Sequence, residues 1–129
     1  MSIDTRNKFI KCVDTCMADF AKRHNLTRKE TQTSGFATFL IYEGTSYSVE
    51  FICGPPEYHV EILVELKKTN QKYDLAALMA IPSITEWVIN HKKMPDEDMI
   101  LSETKRYVEL LDFALPKLTD GQSRHDSIK

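Results

Sequence analysis

Two alternating runs joined by Gly-Pro-Pro constrain the fold of this chain more than any other feature. The runs are YSVEFIC at 47–53 and EYHVEILVEL at 57–66, and the sequence between them is Gly54-Pro55-Pro56. Alternation of apolar and polar residues is typical of a strand with one buried and one solvated face. Proline cannot donate a ladder hydrogen bond. The pattern therefore predicts two antiparallel strands joined by a turn.

A third strand precedes these two. The segment GFATFLIY at 35–42 is aromatic and β-branched, and EGTS at 43–46 carries turn residues. Such a pair of runs predicts a hairpin with the strand at 47–53. The polar stretch NLTRKETQTS at 25–34 has no apolar periodicity, so we expect it to be a connecting loop.

The N-terminal region has a helical period instead. Phe9, Val13, Met17 and Phe20 return every three or four positions, which is typical of an amphipathic helix. We expect this helix to cover residues 5 to about 24, with the apolar stripe facing the core.

Helices are also predicted after the polar segment KKTNQK at 67–72. Asp74 can cap a short helix over LAALMA, which Pro82 ends. Ser83 and Glu86 have the spacing of a capping box for a helix through TEWVINHK. The last helix is expected over 102–117, and its predicted inner residues are Tyr107, Val108, Leu111, Ala114, Leu115 and Leu118.

Together these elements predict an α+β fold. It consists of an N-terminal helix, a three-stranded antiparallel meander, and two or three C-terminal helices packed on one sheet face. We expect a single domain over 1–118. Residues 119–129 contain too few apolar side chains to offset the entropy of ordering, and are expected to form a flexible polar tail.

Composition narrows the class of protein. The chain has 129 residues, of which 42% are hydrophobic and 28% charged, as in ordinary globular domains. The net charge of −2 is too small to attract nucleic acid as a whole molecule. The N-terminus resembles no secretory signal, and no run of about 18 apolar residues occurs. We expect a cytoplasmic protein without a membrane segment, whose three cysteines are reduced.

Glutamates recur at outward positions of the strands. On the strand at 57–66 the residues Val60, Ile62, Val64 and Leu66 are expected to face the core. The opposite side then gathers carboxylates with apolar residues among them, and a further acidic segment lies near the last helix. The predicted partner-binding residues are Glu50, Ile52, His59, Glu61, Leu63, Glu65, Asp96, Glu97 and Asp98.

Two explanations of this acidic face remain open. Outward glutamates keep a sheet soluble and discourage pairing between edges. Alternatively, the mixture of charged and apolar residues is a docking surface for a basic protein, in which apolar residues supply affinity and charges supply rate and specificity.

Catalytic and metal sites are less well supported. Glu61 and Glu65 would need a pocket that separates their pKa values to act as acid and base, and an open sheet offers none. Cys12 and Cys16 share a helix face, and His59 or Cys53 would have to complete a zinc site, but core packing is the simpler role for cysteine. We predict no catalytic residue, no metal and no cofactor.

Two further arrangements are disfavoured. Cys53 and His59 are expected on opposite sides of the sheet, which disfavours a nucleophile and base pair. A basic cluster at the end of the first helix, formed by Lys22, Arg23, His24, Arg28 and Lys29, complements the helix dipole. It lacks interleaved aromatic residues, so we expect no nucleic-acid binding.

The order helix, three-strand meander and closing helices resembles that of small bacterial immunity proteins of contact-dependent growth inhibition and related polymorphic toxin systems. The segments that carry the resemblance are GFATFLIY, YSVEFIC and YVELLDFALPKL. The resemblance implies a non-enzymatic cytoplasmic protein that binds a cognate toxin domain, often a nuclease. A monomer is expected.

Two alternatives belong to other classes. A type III secretion chaperone is another small acidic α/β binding module, but it needs further strands after the middle helix, and the sequence between 75 and 118 predicts none. A small metal-binding or enzymatic regulator is the third class, and stoichiometric zinc in the purified protein would favour it.

Overall fold

The computed structural model describes the backbone of residues 3–55, 59–90 and 99–128, and the side chains of residues 4–55, 59–90 and 100–118. The elements, in chain order, are α1 (Ile3–Arg23), β1 (Thr27–Arg28), β2 (Gln32–Ser34), β3 (Ala37–Glu43), β4 (Tyr47–Cys53), β5 (Val60–Leu66), β6 (Gln71–Asp74), α2 (Leu75–Met79), α3 (Pro82–Asn90) and α4 (Met99–Ile128).

All strands belong to one antiparallel sheet. Its order is β1-β3-β4-β5-β6, and β2 pairs with β3 beside β1. The predicted α+β class is therefore confirmed, and β3, β4 and β5 pair in sequence order as two hairpins. The prediction of only three strands is wrong, because short polar strands extend the sheet on both sides.

The expected loop at 25–34 contains two of these added strands. β1 and β2 pair with the two ends of β3, and Gln32 lies opposite Phe39. Every residue of β2 is exposed. Strands of this kind gain stability from backbone pairing with an apolar neighbour, so they need no apolar pattern of their own.

The core lies on one face of the sheet. Alternate residues of β3, β4 and β5 are buried, including Leu40, Phe51 and Ile62. They form one cluster with the apolar stripes of α1 and α4. The predicted stripe of α1 is confirmed, since Phe9 and Phe20 have no exposed surface.

Charged side chains attach α1 to its neighbours. Asp14 accepts hydrogen bonds from the Tyr42 hydroxyl and, at 3.1 Å, from Arg28 Nε. Arg23 donates two hydrogen bonds, of 2.9 and 3.0 Å, to the carboxylate of Asp112 on α4. Both arginines of the predicted basic cluster thus bind carboxylates of this chain.

The end of α1 is a Schellman motif. Asn25 has a φ of 54°, and the Leu26 N–H donates to the Ala21 carbonyl at 2.9 Å. Asparagine tolerates this left-handed conformation better than most residues. This motif reverses the direction of the chain after α1 and returns it to the edge of the sheet, where β1 begins.

The C-terminal helices differ from the prediction at their ends. Asp74 caps α2 as expected, because its carboxylate accepts from the Ala77 N–H at 2.8 Å. The capping box at Ser83 is wrong: α3 begins at Pro82, and Ser83 lies in its first turn. Proline has no N–H to satisfy and its φ suits the first helical position.

The last helix is longer than expected. α4 begins at Met99 and its backbone is helical to Ile128, with Pro116 inside it. The boundary of the domain at 118 and the flexible tail at 119–129 stay predictions. Within the described helices, none combines the length and hydropathy needed to cross a membrane.

Candidate functional site

The face of the sheet opposite the core forms a grid of side chains, which we call the open face. The register aligns its residues in three rows across the strands. They are Phe39, Ile52 and Glu61 in the first row, Ile41, Glu50, Leu63 and Asp74 in the second, and Glu43, Ser48, Glu65 and Lys72 in the third.

The structure brings the predicted face residues together. Glu50, Ile52, Glu61, Leu63 and Glu65 all lie on the open face, in the alternation expected from the sequence. Their environments differ, because only Glu61 is exposed and the other four are partly buried. The open face is therefore a mixed apolar and acidic surface rather than a uniform column of carboxylates.

Cations neutralise one end of the open face. Glu43 contacts Lys67 Nζ at 2.7 Å and Lys29 Nζ at 3.4 Å. Lys67, and after it Lys29, hold the pKa of Glu43 below its ordinary value. Glu65 lies 3.8 Å from Lys72 Nζ. Neither Glu43 nor Glu65 is therefore a free charge.

The middle of the open face and its other end keep their negative charge. Among the described residues, no salt bridge joins Glu50 or Glu61 to a lysine or arginine. Burial raises the pKa of Glu50, and the carboxylate of Glu65 raises it further, against the opposing effect of Lys72. The free charge of the open face thus lies on β4 and on the first half of β5.

His59 lies at the margin of the open face, where it lines a pocket together with Ile52 and Glu61. It precedes β5, and its Nδ1 lies 3.4 Å from Glu103 Oε1 of α4. The same oxygen accepts a hydrogen bond from the Val60 N–H at 3.2 Å. His59 is thus drawn to the edge of the sheet, where the open face meets α4.

The acidic segment Asp96, Glu97 and Asp98 lies outside the described residues. Its relation to the open face stays a prediction. The residues that sequence reasoning missed are Phe39 and Ile41. Their signal was present, since ATFLIYE alternates in the same way as the neighbouring strand.

The cysteine arrangements have little support in this geometry. Burial, followed by the negative charge of Glu103, raises the pKa of Cys53 to about 11. Such a thiol is protonated at neutral pH and is a poor nucleophile or metal ligand. Burial also raises the pKa of Cys16. In the described part of the chain, no three His, Cys, Asp or Glu side chains are grouped so that they could hold a metal ion.

No protein-family model matches the chain, and neither a curated protein nor a solved structure matches it significantly.

Proposed function

We propose that this protein binds a basic protein partner through the open face, and that it acts as an immunity protein that neutralises a cognate toxin domain. One observation carries the proposal. Partly buried apolar residues of three adjacent strands, namely Phe39, Ile52 and Leu63, lie beside the carboxylates of Glu50 and Glu61, which have no ion-pair partner among the described residues.

The two kinds of residue have different roles in binding. Apolar contacts that become fully desolvated in a complex contribute most of the affinity. Carboxylates accelerate the encounter with a positively charged surface and disfavour acidic partners. A nuclease toxin fits these requirements, because its nucleic-acid cleft is basic. Inhibition then needs only stoichiometric binding, without a reaction or a cofactor.

The immunity role rests on the arrangement of elements. The resemblance to immunity proteins lies in the N-terminal helix, the central meander and the closing helices. The proposal includes a cytoplasmic location and a monomeric state for this protein. The proposal also includes a second acidic contact with the partner, formed by Asp96, Glu97 and Asp98, which is based on the sequence alone.

A secretion chaperone is disfavoured by the elements that follow the sheet. Residues 75–79, 82–90 and 99–118 are helical, and the described residues after 75 contain no strand. Dimerisation of the purified protein would revive this alternative.

Coexpression tests the proposal. The reading frame immediately upstream is expected to encode a secreted toxin with a variable C-terminal domain, and this domain should copurify with the protein in a 1:1 complex. Coexpression should also relieve growth inhibition by that domain. We expect Glu50→Lys combined with Glu61→Lys to weaken the complex at least about tenfold.

A matched control is Glu86→Lys combined with Glu30→Lys. Both glutamates lie outside the open face. The overall charge changes equally in the two double variants. Equal affinity of both for the toxin domain would exclude the open face as the binding surface.

A further inference from the structure

A groove borders the open face where β5, α2 and α4 meet. It consists of two adjoining pockets that share Leu75, Glu103 and Tyr107. The first has a volume of about 400 Å³ and reaches Ile52 and Glu61 of the open face. The second has a volume of about 250 Å³ and extends along α4. The first volume lies within the range of small-ligand sites, and the second lies just below it.

The groove exists because β6 is short. β6 pairs with β5 only from Leu63 to Leu66, so residues 60–62 of β5 have no strand beside them on that side among the described residues. The carboxylate of Glu103 accepts from the Val60 N–H in place of a strand. Glu103 thereby satisfies the sheet edge and also presents its charge to the first pocket.

The first pocket has an apolar floor and an acidic rim. Ile62, Leu75 and Tyr107 contribute apolar surface, and carboxylates come from three elements: Glu61 on β5, Asp74 on β6 and Glu103 on α4. The described lining contains no lysine or arginine, and its one histidine, His59, has its Nδ1 3.4 Å from Glu103 Oε1. A cationic side chain with a long apolar stem complements both features.

The electrostatic environment of Tyr107 agrees with this charge distribution. Burial raises the pKa of Tyr107 to about 12, and the negative charges of Glu103 and Glu61 contribute, while Arg106 acts in the opposite direction. Arg106 belongs to the lining of the second pocket. The first pocket is therefore the anionic half of the groove, and the second is mainly apolar, with Arg106 and the shared Glu103 at its wall.

We propose that the groove receives one arginine side chain of the protein partner, with a neighbouring aliphatic residue of that partner in the second pocket. The guanidinium would lie between Glu61 and Glu103, and its methylene groups would contact Ile62 and Tyr107. Arginine fits better than lysine, because its planar group donates to two carboxylates at once and stacks on aromatic rings. This inference rests on the proposed function, in which the partner is a basic protein.

A dipeptide tests the groove without the toxin. The full-length ¹⁵N-labelled protein is titrated with Ac-Arg-Leu-NH₂ and followed by amide chemical shifts. We expect weak, saturable binding in the roughly millimolar range that shifts the amides of residues 60–62, 74–76 and 103–107. The matched probe is Ac-citrulline-Leu-NH₂, which keeps the shape and loses the charge. Equal binding of both peptides would overturn the proposal.

Conservative variants locate the site. Glu61→Gln combined with Glu103→Gln removes two charges, and the amide oxygen that replaces the carboxylate at position 103 can still accept from the Val60 N–H. We expect about tenfold weaker binding of Ac-Arg-Leu-NH₂. Glu65→Gln, on the open face and beside Lys72, should bind as the unmodified protein does. If the double variant unfolds, Glu61→Gln alone gives the test, because this exposed residue carries no structural hydrogen bond among the described contacts.

Two further results would contradict the assignment. Unchanged affinity of the Glu61 and Glu103 variants would place the dipeptide elsewhere. Concentration-dependent shifts of the same amides without peptide would show that a second copy of the chain occupies the groove.

The experiments distinguish a failure of the arginine-binding proposal from a failure of the proposed immunity function. Specific arginine binding without any toxin complex supports the groove and overturns the immunity function. A toxin complex that is sensitive to Glu50→Lys but not to Glu103→Gln overturns the groove and leaves the open face as the interface.

Discussion

Glu43 and Glu50 face the same side of the sheet but respond to it in opposite ways. Lys67 and Lys29 lower the pKa of Glu43 from its ordinary value of 4.5. Burial among apolar neighbours raises the pKa of Glu50 from the same value. The sign of each shift determines how each carboxylate contributes to the free energy of unfolding.

Glu50→Gln should stabilise the protein at pH 7. A folded-state pKa above the unfolded value means that folding favours the protonated carboxyl. The contribution of Glu50 to the free energy of unfolding is therefore fully present below pH 4.5, and it is lost as the pH rises through the folded-state pKa. Glutamine stays neutral and avoids this loss. Urea unfolding at pH 7 and pH 4 should show a gain at pH 7 that diminishes at pH 4.

Glu43→Gln is the matched control, with the opposite sign. The contribution of Glu43 is present above pH 4.5 and is lost as the pH falls through its depressed pKa. This substitution should therefore destabilise the protein at pH 7 and have less effect in acid. The same direction of change for both variants at pH 7 would contradict this account of the open face.

At the scale of elements, Asp74 joins the last strand of the sheet to the helices. It ends β6, caps α2 and lies at the rim of the groove. A helix of five residues such as α2 has little stability of its own, so its cap and its packing determine whether it forms.

Asp74→Ala should lower the free energy of unfolding by about 1 kcal/mol, because the Ala77 N–H loses its acceptor. Asp74→Asn should cost much less, since asparagine is an equally good cap. Chemical denaturation measures both, and amide exchange at Ala77 should be faster only in the alanine variant. Equal losses would show that charge, rather than capping, is what Asp74 contributes.

The strands that the sequence predicted are those that bury a face. β3, β4 and β5 alternate because the core requires an apolar residue at every second position. β2 and β6 have burial patterns with no buried residue, and QTS and QKYD therefore carry no such signal. Their pairing depends on the backbone of a neighbour, which sequence patterns do not record.

The residues of the candidate site also differ in whether the sequence predicts their position. Alternation placed Glu61 and Leu63 on the open face, because their position follows from the strand alone. Glu103 and Tyr107 line the groove because α4 packs beside the unpaired edge of β5. That contact depends on the tertiary arrangement of two elements far apart in the chain. The sequence could place Tyr107 in the core, but not beside Glu61.

At the scale of the whole molecule, the net charge of −2 conceals an uneven distribution. Lysines compensate Glu43 and Glu65 at one end of the open face. Glu61 and the groove carboxylates lie towards the other end, near the free edge of β5, and Glu50 lies between the two ends. A basic partner is therefore attracted to one region rather than to the whole surface.

This asymmetry predicts a local electrostatic effect on the rate of association with the proposed toxin domain. Raising NaCl from roughly 50 to 500 mM should lower the association rate constant about tenfold, because screening shortens the range of the attraction. Glu61→Lys should lower the rate at low salt. Glu86→Lys changes the net charge equally but lies on α3, and should have little effect. Stopped-flow measurements give the rates. Equal slowing by both substitutions would mean that the net charge, and not the free end of the open face, attracts the partner.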